Sequence, residues 1–126
     1  MLSIGSLFSG IGGIERGLES IGIGPVLWHC EIDAAARRVL AHHWPGVPCY
    51  PDVREIDEGI PRTDVVVGGF PCQPHSLAGK RRGISDTRWL WPEFRRIVAI
   101  VRPSIVFIEN VPGLRTSGLR SVLADL

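Results

Sequence analysis

Cys72 lies in the run Val65-Val66-Val67-Gly68-Gly69-Phe70-Pro71-Cys72-Gln73-Pro74, an apolar strand that ends in a glycine turn with a thiol held between two prolines. That setting suits a nucleophile. A strand end delivers a side chain to the rim of a sheet, the prolines restrict the backbone, and the glycines let a substrate approach closely. Cysteine in general is more often buried and inert, so the setting and not the residue type carries the reading. Glu31, Asp52 and Glu109 each close a short apolar run in the same way. One acid at a strand end is ordinary, but several reactive side chains on one rim make a site.

The second group is the turn Phe8-Ser9-Gly10-Ile11-Gly12-Gly13. Its glycines admit a ligand against the backbone, and the helix that follows offers free N–H groups and a positive dipole end. Glu31, eighteen residues after Gly13, stands where a carboxylate accepts hydrogen bonds from both hydroxyls of a ribose. Asp52 is placed to take an adenine amino group. A structural role stays open for both acids, as helix caps or solvated loop residues. The turn reads G-x-G-G and not G-x-G-x-x-G, so a nucleoside without a pyrophosphate fits better than a nicotinamide dinucleotide.

Between Lys80 and Arg102 stand seven basic residues, Lys80, Arg81, Arg82, Arg88, Arg95, Arg96 and Arg102, against Asp86 and Glu93. Such a cluster can be a solvated face. Following so soon after Cys72, it suggests a phosphate-bearing substrate.

The elements that must position these groups alternate along the chain. Apolar runs over 2–8, 25–30, 47–50, 64–70 and 104–109 read as strands; the fourth looks buried on both faces and the fifth also reads as a buried strand. Helical spacing runs from Ile14 to Ile21, from Asp33 as cap to about His43, and from Trp89 to Val101 with Trp91, Phe94, Ile97, Val98 and Val101 on one side. A last helix starts near Gly113 or Leu114. The polar stretch 73–88 is too long for an ordinary connection and reads as a functional loop. Strands alternating with helices imply an α/β fold, a doubly wound parallel sheet in three αβα layers, with ligands beyond the carboxyl ends of the strands.

At 126 residues and a net charge of +1 the chain fits one domain and is no general polyelectrolyte binder. No apolar run approaches the roughly 20 residues of a membrane helix, and the N-terminus lacks the pattern of a signal peptide, so a cytoplasmic protein without membrane partners is expected. Cys30, Cys49 and Cys72 are odd in number and form no C-x-x-C pair; reduced thiols and no metal site follow. His29, His42 and His43 read as strand-end or helix-surface residues, and Arg95 and Arg96 as solvated.

Phe8-Ser9-Gly10-Ile11-Gly12-Gly13, Gly68-Gly69-Phe70-Pro71-Cys72-Gln73-Pro74 and Phe107-Ile108-Glu109-Asn110-Val111, in this order and separation, resemble the DNA (cytosine-5) methyltransferases over nearly the whole chain. The resemblance implies a Rossmann-like catalytic sheet of about five parallel strands that transfers methyl from S-adenosylmethionine to carbon 5 of cytosine in double-stranded DNA, in bacterial or phage modification and restriction protection. By the same resemblance, Phe8, Ser9, Gly10, Gly12, Gly13, Glu31, Ile32, Asp52, Val53, Gly69 and Pro71 would hold the cofactor. Cys72 would be the nucleophile, and Glu109 the acid at the cytosine ring nitrogen. The chemistry is coherent. A thiolate adding at carbon 6 makes carbon 5 nucleophilic, cysteine forms a thiolate near neutral pH in a positive environment, and an acid at the ring nitrogen stabilises the arriving charge. The target base must leave the duplex; Gln73, Ser76, Lys80, Arg81, Arg82 and Arg88 would grip the DNA.

Two positions depart from the family pattern: His75 replaces the usual aromatic residue, and Ile32 follows Glu31 where an aromatic often stacks on adenine. The family's later arginine motif, target recognition domain and asparagine motif are expected beyond Leu126. An incomplete sheet is therefore expected to leave an apolar edge near the fifth strand, inviting self-association or a complementary chain. A non-catalytic cofactor-binding fragment and a tRNA cytosine-5 methyltransferase are the competing readings.

Overall fold

The structure, a computed structural model, describes residues 1–71, 89–110 and 112–126. Five short strands, β1 (Ile4–Leu7), β2 (Val26–Cys30), β3 (Cys49–Tyr50), β4 (Val65–Gly68) and β5 (Ile105–Ile108), form one sheet. Every pairing is parallel and the order is β3-β2-β1-β4-β5. Because the chain winds outward first through β2 and β3 and then returns to β4 and β5, a crevice opens between the ends of β1 and β4. The doubly wound α/β architecture expected from the alternation is the one observed.

Side chains alternate across the sheet and build two cores. Val65 and Val67 of β4 join Ile4, Val26, Leu40 and Trp44 on one face, under α1 (Gly13–Ser20) and α2 (Ala34–His43). Val66 joins Leu7, Trp28 and Phe70 on the other face, under α3 (Trp91–Val101) and the C-terminal helices. All four residues of β4 are buried, as its continuous apolar run required. Three buried indoles tie distant segments together through their N–H groups: Trp28 of β2 donates to Pro61 O at 2.9 Å, Trp44 after α2 to Glu19 Oε2 at 2.9 Å, and Trp91 of α3 to Asp125 Oδ2 at 2.8 Å. Each bond lets a large apolar body be buried without stranding its polar atom.

Helix α2 starts where Asp33 caps it, its Oδ1 accepting from Ala36 N–H at 2.8 Å. Helix α3 starts two residues later than expected, at Trp91 followed by Pro92, because proline is favoured in a first turn, where its missing N–H costs nothing. The strands are shorter than the apolar runs that mark them. Two expectations need correction. Strand β5 is not buried on both faces: Ile105 and Phe107 are 48% and 47% exposed, and only Val106 and Ile108 pack on the core. The last helix is two, α4 (Leu114–Ser117) and α5 (Leu119–Asp125), broken where Gly118 leaves helical geometry at φ −155°, ψ −17°; glycine holds a helix poorly.

Candidate functional site

The carboxyl ends of β1, β2 and β3 border a cleft of about 390 Å3, its open mouth included. Phe8, Glu31, Ile32, Asp52, Val53 and Pro71 line it, all expected at a cofactor site; Cys30, Pro51, Arg54 and Leu90 complete the wall.

Glu31 is held from two sides. Its Oε2 accepts from Gly10 N–H at 2.6 Å and its Oε1 from Asp33 N–H at 2.9 Å, so the glycine turn and the start of α2 fix the carboxylate together. A carboxylate has about four acceptor positions, which leaves room for ligand hydroxyls. At Gly10 (φ +57°) and at Gly13 an added Cβ would meet nothing within 4 Å, so the turn's backbone faces open space. Gly12 differs. A Cβ there would strike the Trp44 indole, so this glycine serves the packing of α1 on α2. Phe8 takes φ +52° without being glycine, a strained conformation of the kind that clusters at binding sites; its ring stacks on Phe94 with centroids 6.4 Å apart.

Asp52 plays the structural role left open for it and still lines the cleft. It accepts from Arg54 N–H and bidentately from the Arg54 guanidinium, all at 3.0 Å, capping the 3-10 turn Val53–Glu55. The Arg54 side chain holds its carboxyl below the usual carboxylate range. Ile32 is 68% exposed at the mouth.

Sequence reasoning missed the layer beneath the glycine turn. Glu15 and His29 are 1% exposed. Glu15 accepts a hydrogen bond from Ser6 Oγ, which lies 2.8 Å from Ser9 Oγ in the turn; His29 Nδ1 is 3.8 Å from the Glu15 carboxylate. The chain Glu15–Ser6–Ser9 anchors the turn to the core. No sequence signal marked it, since Glu15 falls at a helix position that is ordinarily solvated, and His29 read as a strand-end residue. Arg96 also departs from expectation: it is not merely solvated, because it donates to Ile56 O at 2.7 Å, to Val53 O at 2.9 Å and to Glu93 Oε2 at 2.8 Å.

Across the crevice, the ends of β4 and β5 meet. Glu109 N–H donates to Gly68 O at 3.1 Å, and Asn110 Nδ2 donates to Phe70 O at 3.1 Å. A Cβ on Gly69 would lie 2.7 Å from Glu109 Oε2, so glycine at 69 is what admits the carboxyl there. Glu109 itself is exposed. Cys72, Gln73, Ser76, Lys80, Arg81, Arg82 and Arg88 lie outside the described residues. The two other thiols are free and unsuited to attack: burial, then Cys49, Glu31 and Asp52, push the Cys30 thiol up to about 12, and burial raises Cys49. Among the described residues no group of His, Cys, Asp and Glu has the arrangement of a metal site, and no helix is long and apolar enough to cross a membrane.

Sheet order and strand connections define a doubly wound parallel sheet, with a cleft and strand-end acids beside its switch point. Over residues 2–126 the chain matches the C-5 cytosine-specific DNA methylase family, and it belongs to that family. It is 40% identical over 137 residues to the Type II methyltransferase M2.BsuMI of Bacillus subtilis (strain 168), across 99% of this chain and 35% of that protein. To the Type II methylase M.HgiEI of Herpetosiphon aurantiacus it is 44% identical over 112 residues, across 86% of this chain and 25% of that protein. The chain thus spans about a third or less of these relatives' lengths. A putative DNA modification methyltransferase encoded within an E. coli prophage superposes over 100% of this chain and 38% of its own, with TM-score 0.79 and 28% identity. The Spodoptera frugiperda DNMT2 mutant, at 22% identity and TM-score 0.74 over 99% of this chain and 40% of its own, shares the fold.

Proposed function

We propose that this chain forms the cofactor-holding and cytosine-attacking part of an enzyme that methylates carbon 5 of cytosine in double-stranded DNA, with S-adenosylmethionine as methyl donor. The observation that carries the reading is the Glu31 carboxylate, pinned by Gly10 and Asp33 N–H groups at the edge of a cleft walled by Phe8, Asp52, Val53 and Pro71. These residues fit the cofactor. Two acids and apolar walls suit a cationic nucleoside, and the open backbone of Gly10 and Gly13 suits its close approach. Glu31 takes the ribose hydroxyls, Asp52 the adenine amino group with whatever acceptor capacity Arg54 leaves, and Val53, Ile32 and Pro71 the faces of the base.

When bound, S-adenosylmethionine supplies an electrophilic methyl group on a sulfonium sulfur. The chain's own residues prepare the acceptor. Cys72, two residues beyond the end of the Gly69-Phe70 turn, adds its thiolate to carbon 6 of the flipped cytosine, and the electron pair that moves into the ring makes carbon 5 nucleophilic. Glu109 meets the ring nitrogen, where negative charge arrives as the carbon–sulfur bond forms. After carbon 5 is methylated, loss of its proton returns an electron pair to the ring and expels the thiolate. Gln73, Ser76, Lys80, Arg81, Arg82 and Arg88 hold the phosphates around the extruded base.

The test is adduct formation on duplex DNA carrying 5-fluorocytosine, with S-adenosylmethionine present. The expected result is a denaturant-resistant complex that Cys72→Ser abolishes, with radiolabelled methyl entering duplex DNA and not tRNA. Label in tRNA alone would overturn the choice of substrate. Binding of S-adenosylmethionine with no adduct on either nucleic acid would select a second reading, a cofactor-binding module that does no chemistry of its own. Exposed Ile105 and Phe107 on β5 further support association between copies of this chain or with a complementary chain. Sedimentation showing a monomer at all concentrations would count against that.

A further inference from the structure

The turn Val53–Glu55, which carries one wall of the cleft, is weakly held by its own backbone. Glu55 N–H reaches Asp52 O at 3.1 Å and Ile56 N–H reaches Val53 O at 3.4 Å; the second is too long to be strong. The turn is secured from outside. Arg96 on α3 places Nη2 2.9 Å from Val53 O and Nη1 2.7 Å from Ile56 O, while Glu93 one turn earlier fixes Nε at 2.8 Å. A planar guanidinium reaches two carbonyls and a carboxylate at once from three separate nitrogens; an ammonium would have to draw all three acceptors to one nitrogen. Its neighbour Arg95 is 61% exposed and lies 3.7 Å from Asp125.

The residue that caps the same helix, Leu90, lines the same cleft, so Leu90 and the Arg96 anchor are joined by less than two turns of rigid helix, a rise of about 9 Å. We propose that Arg96 is a positioning residue for the cofactor site: it sets the gap between the Asp52–Arg54 wall and the Leu90 wall, and so the affinity for the adenine end of the ligand. This inference rests on the reading of the cleft as an S-adenosylmethionine site.

Calorimetric titration of S-adenosylmethionine into the 126-residue chain, well below the melting point of every variant, tests it. Removing two charge-assisted hydrogen bonds to the turn should weaken binding by about tenfold in Arg96→Ala, with Arg96→Lys in between and Arg95→Ala at the level of the unsubstituted chain. Amides 54–56 should exchange faster in Arg96→Ala. In an Asp52→Asn background the loss should shrink, because both changes act through the same wall. A lower melting point with unchanged affinity in Arg96→Ala would mean a structural role only and would overturn the proposal. If Arg96→Ala does not fold, Arg96→Lys binding as tightly as the unsubstituted chain overturns it equally. Failure of the unsubstituted chain to bind at all would instead remove the cofactor reading on which the inference stands.

Discussion

On the β2–β3 side of the switch point a strand-end carboxylate, Glu31, is gripped by two backbone N–H groups from separate loops. On the β5 side Glu109 stands exposed against a glycine, at the end of a strand whose Ile105 and Phe107 are each about half open to solvent. The first side is preorganised by bonds internal to the chain: Glu15, Ser6 and Ser9 beneath the turn, Asp33 capping α2, and Arg96 bracing the turn after Asp52. The second is placed mostly by what is missing, a side chain at Gly69. Tight ligand binding needs groups fixed before the ligand arrives, whereas a group that acts on an extruded base needs room for that base to enter. The two sides match the two demands of the proposed function.

The contrast can be broken first at the level of packing. Phe94 is fully buried between Phe8, Phe70 and Trp91, so Phe94→Ala should cost about 3–5 kcal/mol of unfolding free energy in urea. Phe107→Ala on the open face of β5 should stay within about 0.5 kcal/mol while weakening self-association. Equal losses would mean that β5 is covered as well as the core.

A smaller effect is expected under the glycine turn. Glu15→Gln replaces a buried acceptor facing Ser6 and His29, and should lower stability by about 1–3 kcal/mol. Glu109→Gln, at an exposed carboxyl, should leave the urea midpoint unmoved. The reverse ranking would place the rigid side of the sheet at β5.

The smallest effect concerns pH. Because the Cys30 thiol is pushed up to about 12 from an ordinary value of 9.0, the folded state holds that proton more tightly than the unfolded chain does. The associated stability is complete well below pH 9 and falls as pH rises toward 12, by about 1.4 kcal/mol at pH 10. Cys30→Ala should flatten this alkaline limb. At pH 8 iodoacetamide should leave Cys30 unmodified in the folded chain, and rapid labelling there would contradict the assigned burial of that end of β2.

The sheet and its rim were legible because the sequence states them locally. Val65-Val66-Val67 reads as a strand buried on both faces, Asp33 marks a helix start, and Glu31 and Asp52 follow apolar runs and so fall at strand ends. What escaped depends on contacts between distant segments. Arg96 looks like any basic residue on a helix, and its acceptors are backbone carbonyls, which have no sequence signature. Glu15 and His29 pair only after α1 packs on β2. The half-open β5 was misread in one respect, since an apolar run such as Ile105-Val106-Phe107-Ile108 reports a tendency to be buried and not what is present to bury it. The break at Gly118 was visible as a glycine but had no register to contradict.

Glu31 is the proposed anchor of the cofactor. Titrating S-adenosylmethionine into the chain and into Glu31→Ala measures it: the unsubstituted chain should bind one equivalent saturably, and the substitution, which removes the charged acceptor, should weaken binding on the order of a hundredfold. Affinity unchanged by Glu31→Ala would contradict the cleft's assignment.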